Sequence, residues 1–217
     1  IKQMYHVPQR IFADVVLGLL AVNSAVQAEE EVKITEYLTH LDVEHNGKPV
    51  RIERIQDQSN KLTNSFAKTS RPCPPFCVHP LTIGNGVKTV GEIELLDFLA
   101  SKVKNEQGLL VDARMPEWHA KGTIPGAVNI PFTVLTAGLD NPHTRKILTL
   151  LGASESNGKW DFSNARELML FCNGLWCDQS TQAINHLVSV GYPAEKMYWY
   201  RGGMQIWQLL GMTTVTP

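Results

Sequence analysis

The chain has 217 residues, 43% of them hydrophobic and 19% charged, and its 20 basic and 21 acidic side chains leave a formal net charge of -1. That length accommodates one complete α/β domain with an N-terminal extension. The charge balance, with no long single-sign run, removes the electrostatic footprint of a nucleic-acid binder and fits a small or neutral partner.

From Met4 a weakly basic start ending at Arg10 gives way to the apolar run Val15-Val-Leu-Gly-Leu-Leu-Ala-Val22, then to small and polar residues as far as Ala28. This order predicts a signal peptide over residues 1–28, cleaved after Ala28. An amphipathic or anchoring N-terminal helix is the alternative, and Asp14 beside the apolar run keeps it open. The run is shorter than the ~20 residues of a membrane span. The expectation is therefore an exported, periplasmic protein, soluble after processing and with no stable membrane insertion, whose cysteines meet an oxidising compartment.

Residues 29–86 read as an N-terminal extension. Alternating apolar and polar residues on both sides of Asn46-Gly47 predict a β-hairpin over 41–55. Residues 56–67 are polar and turn-rich. Arg71-Pro-Cys73-Pro-Pro-Phe-Cys77-Val-His-Pro80 follows, a connecting loop stiffened by four prolines that fit neither a helix interior nor a central strand.

From Val87 the pattern changes. Ile93, Leu95, Leu96, Leu99 and Val103 recur at helical intervals, predicting a helix over 92–104, and 109–112 reads as a short buried strand. Further strands are expected at 127–130, 168–171 and 197–200. Helices are expected at 179–190, ended by Gly191, and at 204–210. Such alternation implies a parallel sheet covered by helices on both faces. There is no Gly-rich nucleotide loop and no cysteine or histidine spacing that makes a metal cluster, so neither a cofactor nor a metal is expected.

The four cysteines are too few for a disulfide-framework protein and fall in two close pairs, Cys73/Cys77 and Cys172/Cys177, a spacing that points to redox or sulfur chemistry. Cys172 directly follows a predicted strand, and Asp178 is placed to cap the helix after the loop. In an open parallel sheet ligands bind at the carboxyl ends of strands, where helix N-termini offer free N–H groups. A thiol there is stabilised as thiolate, and the same amides can hold an anionic substrate. The loop Cys172, Asn173, Gly174, Leu175, Trp176, Cys177 is therefore a candidate active loop, with Gly174 turning the backbone inward and Trp176 lining the mouth. The alternative makes Cys172 a buried small hydrophobe and Cys177 its disulfide partner. Cys73/Cys77 is either a structural disulfide or a redox pair docking near Cys172. His79 beside it is one ligand short of a zinc site, and His119 is expected on a surface helix.

Several separated segments resemble the rhodanese (sulfurtransferase) superfamily. Val111-Asp112-Ala-Arg114, then Glu117-Trp118, then Gly122-Thr-Ile-Pro-Gly126-Ala-Val-Asn-Ile-Pro131 is similar to its first signature. Leu170-Phe-Cys172 with its loop resembles the active loop, and Arg201-Gly-Gly203-Met-Gln-Ile-Trp207 resembles the final turn and helix. The resemblance implies a rhodanese-like α/β fold over 87–217, structural roles for Asp112, Arg114 and Glu117, and a persulfide mechanism. In that mechanism Cys172 takes sulfane sulfur from thiosulfate or a polysulfide and passes it to a thiol or other thiophilic acceptor, while Cys177 either attacks the persulfide, leaving a Cys172–Cys177 disulfide, or is itself the sulfur carrier. Members often carry Arg five residues after the cysteine, where this chain has Cys177. Arg201 and Arg71 are the candidate substitutes for that cation. The loop length resembles the sulfur-handling members and not their phosphatase-like relatives. Two further readings stay open: a thiol–disulfide redox protein cycling Cys172/Cys177, and an inactive binding module whose hairpin docks on an envelope protein.

Overall fold

The computed structural model describes residues 30–217, so the predicted signal peptide lies outside the described residues. Strands β1 (His40–His45) and β2 (Lys48–Glu53) pair antiparallel across Asn46 and Gly47, both at positive φ. That two-residue turn matches the twist of its strands, which is why Asn-Gly selects it. The hairpin is not a free appendage. Ile52 on β2 is fully buried in one cluster with Leu95, Leu99, Met204 and Trp207. Arg54 bridges Met212, and Ile55 N–H donates to Gly211 O at 2.8 Å. A single 3₁₀ turn, Ser65–Ala67, then buries Phe66 in the same cluster, capped by the Asn64 side chain.

The main sheet follows. Strand β3 (Lys88–Val90) leads to α1 (Glu92–Phe98), which widens into a π-helical turn at Leu99–Val103, and then to β4 (Gly108–Asp112). Next come α2 (Pro116–His119), β5 (Ala127–Asn129), α3 (Phe132–Leu135), α4 (Pro142–Leu150) and a small antiparallel hairpin, β6 (Ser154–Ser156) with β7 (Lys159–Asp161). The chain closes with β8 (Glu167–Phe171), α5 (Gln179–Ser189), β9 (Met197–Tyr200) and α6 (Gly203–Leu209). Five of these strands form one parallel sheet in the order β3-β9-β8-β4-β5.

β8 is central and buried on both faces, which its unbroken apolar run requires. Leu168 and Leu170 join the core that includes Ala183, Ile184 and Leu187 of α5. Met169 and Phe171 join the opposite core, with α1, α6 and Ile52. The fold is thus the α/β architecture expected from the sequence, with a five-stranded parallel sheet, flanking helices and an N-terminal β-hairpin. The elements not anticipated include the edge strand β3, the short helix α3, α4 and the β6–β7 hairpin between β5 and β8, and the change from α to π winding inside the helix expected over 92–104.

Candidate active site

β8 ends at Phe171 and α5 begins at Gln179, and the seven residues that turn between them start with Cys172. The loop's shape is imposed by its neighbours. Met204 N–H donates to Cys172 O at 3.0 Å and Gln205 N–H to Asn173 O at 2.9 Å, so the first turn of α6 grips two loop carbonyls. In a trans peptide the N–H points opposite the C=O. Fixing those carbonyls on α6 therefore aims the N–H groups of Asn173 and Gly174 the other way. A third carbonyl, Leu175 O, is taken by His79 N–H at 2.9 Å, which likewise aims the Trp176 amide. Among the described residues the amides of Asn173, Gly174, Leu175 and Trp176 have no protein acceptor, whereas Cys177 N–H closes the turn on Gly174 O at 3.0 Å.

Two glycines make this approach feasible. A Cβ on Gly203, whose φ is +58°, would lie 2.5 Å from Cys172 O and 2.7 Å from Gly174 N. One on Gly174 would lie 2.9 Å from Gln205 Oε1. Gln205 also ties the loop sideways. Its Oε1 accepts from Trp176 Nε1 at 2.9 Å and its Nε2 donates to Phe66 O at 3.2 Å.

Behind the loop lies a buried charged network. Asp112 at the end of β4 is fully buried and Arg114 nearly so. Arg114 donates through Nε to Asp112 Oδ1 at 2.8 Å and through Nη2 to Oδ2 at 2.5 Å, and Nη2 also reaches Gly122 O. Its Nη1 reaches Asn173 Oδ1 at 3.4 Å, linking this network to the loop. Thr123 and His119 complete the shell of Asp112. Burial pushes the Asp112 carboxyl up, but hydrogen bonds from Arg114, His119 and Thr123 outweigh it and hold the group below the usual carboxylate range. His119 was expected on a surface helix. It does sit on α2, but its ring is mostly buried and bonded to Asp112 at 3.1 Å, because the chain turns back at Gly122 and brings α2 onto the strand end.

The two cysteine pairs are both closed, Cys73 to Cys77 and Cys172 to Cys177. Cys172 is 2% exposed and Cys177 6%. Segment 71–80 lies across the loop. Phe76 meets the Trp176 ring edge to face at 5.0 Å, and the Arg71 guanidinium stacks over both rings at 4.8 Å. Arg71 Nη2 donates to Ser65 O at 2.6 Å, while its Nε is buried with no hydrogen-bond partner.

Of the two candidate cations, Arg71 is the one lying against the loop. Arg201 donates through Nε to Pro80 O at 3.0 Å and through Nη2 to His79 O at 2.7 Å, anchoring the end of segment 71–80. Asp178 precedes α5 as expected, yet its side chain caps no backbone N–H and instead accepts from Gln182 Nε2 at 2.7 Å, because its own backbone is already helical. The α5 N-terminus is therefore not covered by that carboxylate. Sequence reasoning missed Gln205 and Gly203 as loop-shaping residues, since their role exists only once α6 is packed on the loop.

Several solved structures are similar in part. A human single-domain sulfurtransferase is 29% identical over 56% of this chain and 96% of its own, with a TM-score of 0.40. A single-domain sulfurtransferase from Saccharomyces cerevisiae is 20% identical over 58% of this chain and 92% of its own, with a TM-score of 0.41. A rhodanese-related protein from Thermoplasma volcanium is 18% identical over 60% of this chain and 99% of its own, with a TM-score of 0.40. No curated protein matches the sequence significantly. The family model described as the rhodanese-like domain matches residues 95–210, from within α1 to the end of α6 and thus more than half of the chain. That span holds four of the five sheet strands, the Asp112–Arg114 network and the whole Cys172 loop, and the chain belongs to the rhodanese-like domain family.

Proposed function

We propose that this protein is a sulfurtransferase in which Cys172 carries sulfane sulfur as a persulfide and Cys177 resolves it. The observation that carries the reading is the loop itself. A cysteine directly follows the central strand, ahead of four amides with no protein acceptor and a helix N-terminus without a capping carboxylate. Such a setting stabilises a thiolate and receives an anionic donor. With thiosulfate, the Cys172 thiolate attacks the outer sulfur, the S–S bond breaks, sulfite leaves with the electron pair and Cys172–S–S⁻ remains. A thiophilic acceptor then takes the outer sulfur and regenerates the thiolate. Alternatively the Cys177 thiolate attacks Cys172 Sγ of the persulfide, forming the Cys172–Cys177 disulfide and releasing hydrosulfide. The transferred sulfur is then reduced while the two cysteine sulfurs are oxidised.

The Cys172–Cys177 disulfide favours a second reading, in which thiol–disulfide cycling is the whole function. We place either activity outside the cytoplasm. The order of basic, apolar and small residues before Glu29 supports export, and two disulfides suit an oxidising compartment.

Intact-mass measurement on the reduced protein incubated with thiosulfate or polysulfide tests the assignment. The wild type is expected to gain one sulfur, Cys172→Ser to gain none, and Cys177→Ser to gain one sulfur and retain it longer, releasing less sulfide. Loading of Cys172→Ser but not of Cys177→Ser would reverse the two roles, and loading of neither variant nor the wild type would leave the redox reading in its place.

A further inference from the structure

We propose that the Cys73–Cys77 disulfide is the entry port through which a partner protein's dithiol reduces the buried Cys172–Cys177 disulfide. The inference rests on the reading above, in which release of hydrosulfide leaves Cys172 and Cys177 oxidised, so that two electrons must be returned before the next turnover.

Access is the first consideration. Thiol–disulfide exchange requires a thiolate to reach a sulfur atom. Cys172 and Cys177 are 2% and 6% exposed, and Trp176, Phe76 and Arg71 are stacked beside them, which bars the bulk of a second protein. Cys73 is exposed, between the exposed prolines Pro72 and Pro74, and Val78 close by is 76% exposed. One pair is thus open to a macromolecule and the other is closed to it.

Position is the second. Cys77 is the inner, half-buried member of its pair, and its neighbours on both sides are fixed to the active loop. Phe76, immediately before it, touches Trp176, immediately before Cys177. His79, two residues after it, is bonded to Leu175, two residues before Cys177. Arg201 holds His79 and Pro80 in place. These contacts bracket Cys77 against the stretch that ends in Cys177.

The exchange balances without any other reagent. The partner's first thiolate attacks Cys73 Sγ, the Cys73–Cys77 bond breaks and Cys77 leaves as thiolate; the partner's second thiol then resolves the mixed disulfide, leaving the partner oxidised and Cys73 reduced. The Cys77 thiolate attacks Cys177 Sγ and expels Cys172 as thiolate. Cys73 finally attacks Cys77, restoring the outer disulfide and freeing Cys177. Two electrons and two protons pass from partner to active loop.

The test uses the oxidised full chain with two reductants, reduced thioredoxin as the protein dithiol and tris(2-carboxyethyl)phosphine as the small molecule. Opening of Cys172–Cys177 is followed by quenched alkylation and peptide mass. In Cys73→Ser/Cys77→Ser, reduction by thioredoxin is expected to slow at least tenfold while reduction by the phosphine keeps its wild-type rate. Equal thioredoxin rates overturn the relay, and so does equal slowing with both reductants, which would reflect a rearranged loop. Independently, Cys73→Ser/Cys172→Ser retains only Cys77 and Cys177, and mild oxidation with diamide is expected to link them within one chain. Failure to link them overturns the direct exchange. Sulfur loading of the phosphine-reduced wild type is scored separately, so loss of the sulfurtransferase reading and loss of the relay give different results.

Discussion

Gly203 shows how far a single position can govern the site. Its left-handed backbone costs a side-chain-bearing residue about 1–2 kcal/mol, and an added Cβ would overlap the carbonyl of Cys172 at 2.5 Å. Gly203→Ala is expected to lower stability by at least that amount in urea unfolding and to abolish sulfur loading, because the loop must retreat from α6. Asp112 acts through charge. Its carboxyl is held below the usual range, so its contribution is full above the unfolded value of about 4 and is lost as pH falls from there through the lowered folded value. Asp112→Asn leaves Arg114 buried without its counter-charge, a loss of about 3–5 kcal/mol at neutral pH. Stability measured from pH 7 down to pH 3 is expected to fall less steeply for the variant than for the wild type. Cys172 and its loop were legible in the sequence because strand, cysteine and helix lie in one short local pattern. Gln205 and Gly203 were not, because each acts on a loop far from it in the chain. The His119 contact was not, because although only seven residues separate it from Asp112 it depends on how the chain turns back at Gly122.

Among the elements, the N-terminal hairpin has the most to show. Asn46-Gly47 made it readable, but nothing local told that Ile52 would be fully buried against α1 and α6. Ile52→Ala is expected to cost about 2–5 kcal/mol of global stability, seen as one cooperative transition shifted to lower urea. An early separate transition with the main one unmoved would mean that the hairpin folds by itself. The strands β8 and β9 were readable from their apolar runs, since a strand covered on both faces has no polar side. α4 escaped notice although Asn141 caps it through two backbone N–H groups and Pro142 stands in its first turn, a start signal as good as any in the chain. The π-helical turn after Phe98 has no counterpart in the apolar spacing, because α and π windings place Leu99 and Val103 on nearly the same face.

At the scale of the molecule, the strand order β3-β9-β8-β4-β5 sets the carboxyl ends of β4 and β8 side by side, paired as far as Asp112 with Phe171. That adjacency lets Arg114, just past one strand, reach Asn173, just past the other. Alternation of strands and helices implied a parallel sheet, but not which strands adjoin, so this link could not be foreseen.

His79 lends its N–H to Leu175 O from a segment that the rhodanese-like match, beginning at residue 95, leaves outside. A boundary drawn by likeness alone would therefore cut through the active loop's own scaffolding. Trimmed there, the chain would keep every signature motif yet lose one of the three hydrogen bonds that orient the loop peptides, together with the Phe76 ring and the Arg71 guanidinium packed on Trp176. The part that makes this member distinct is not portable from the part that makes it recognisable.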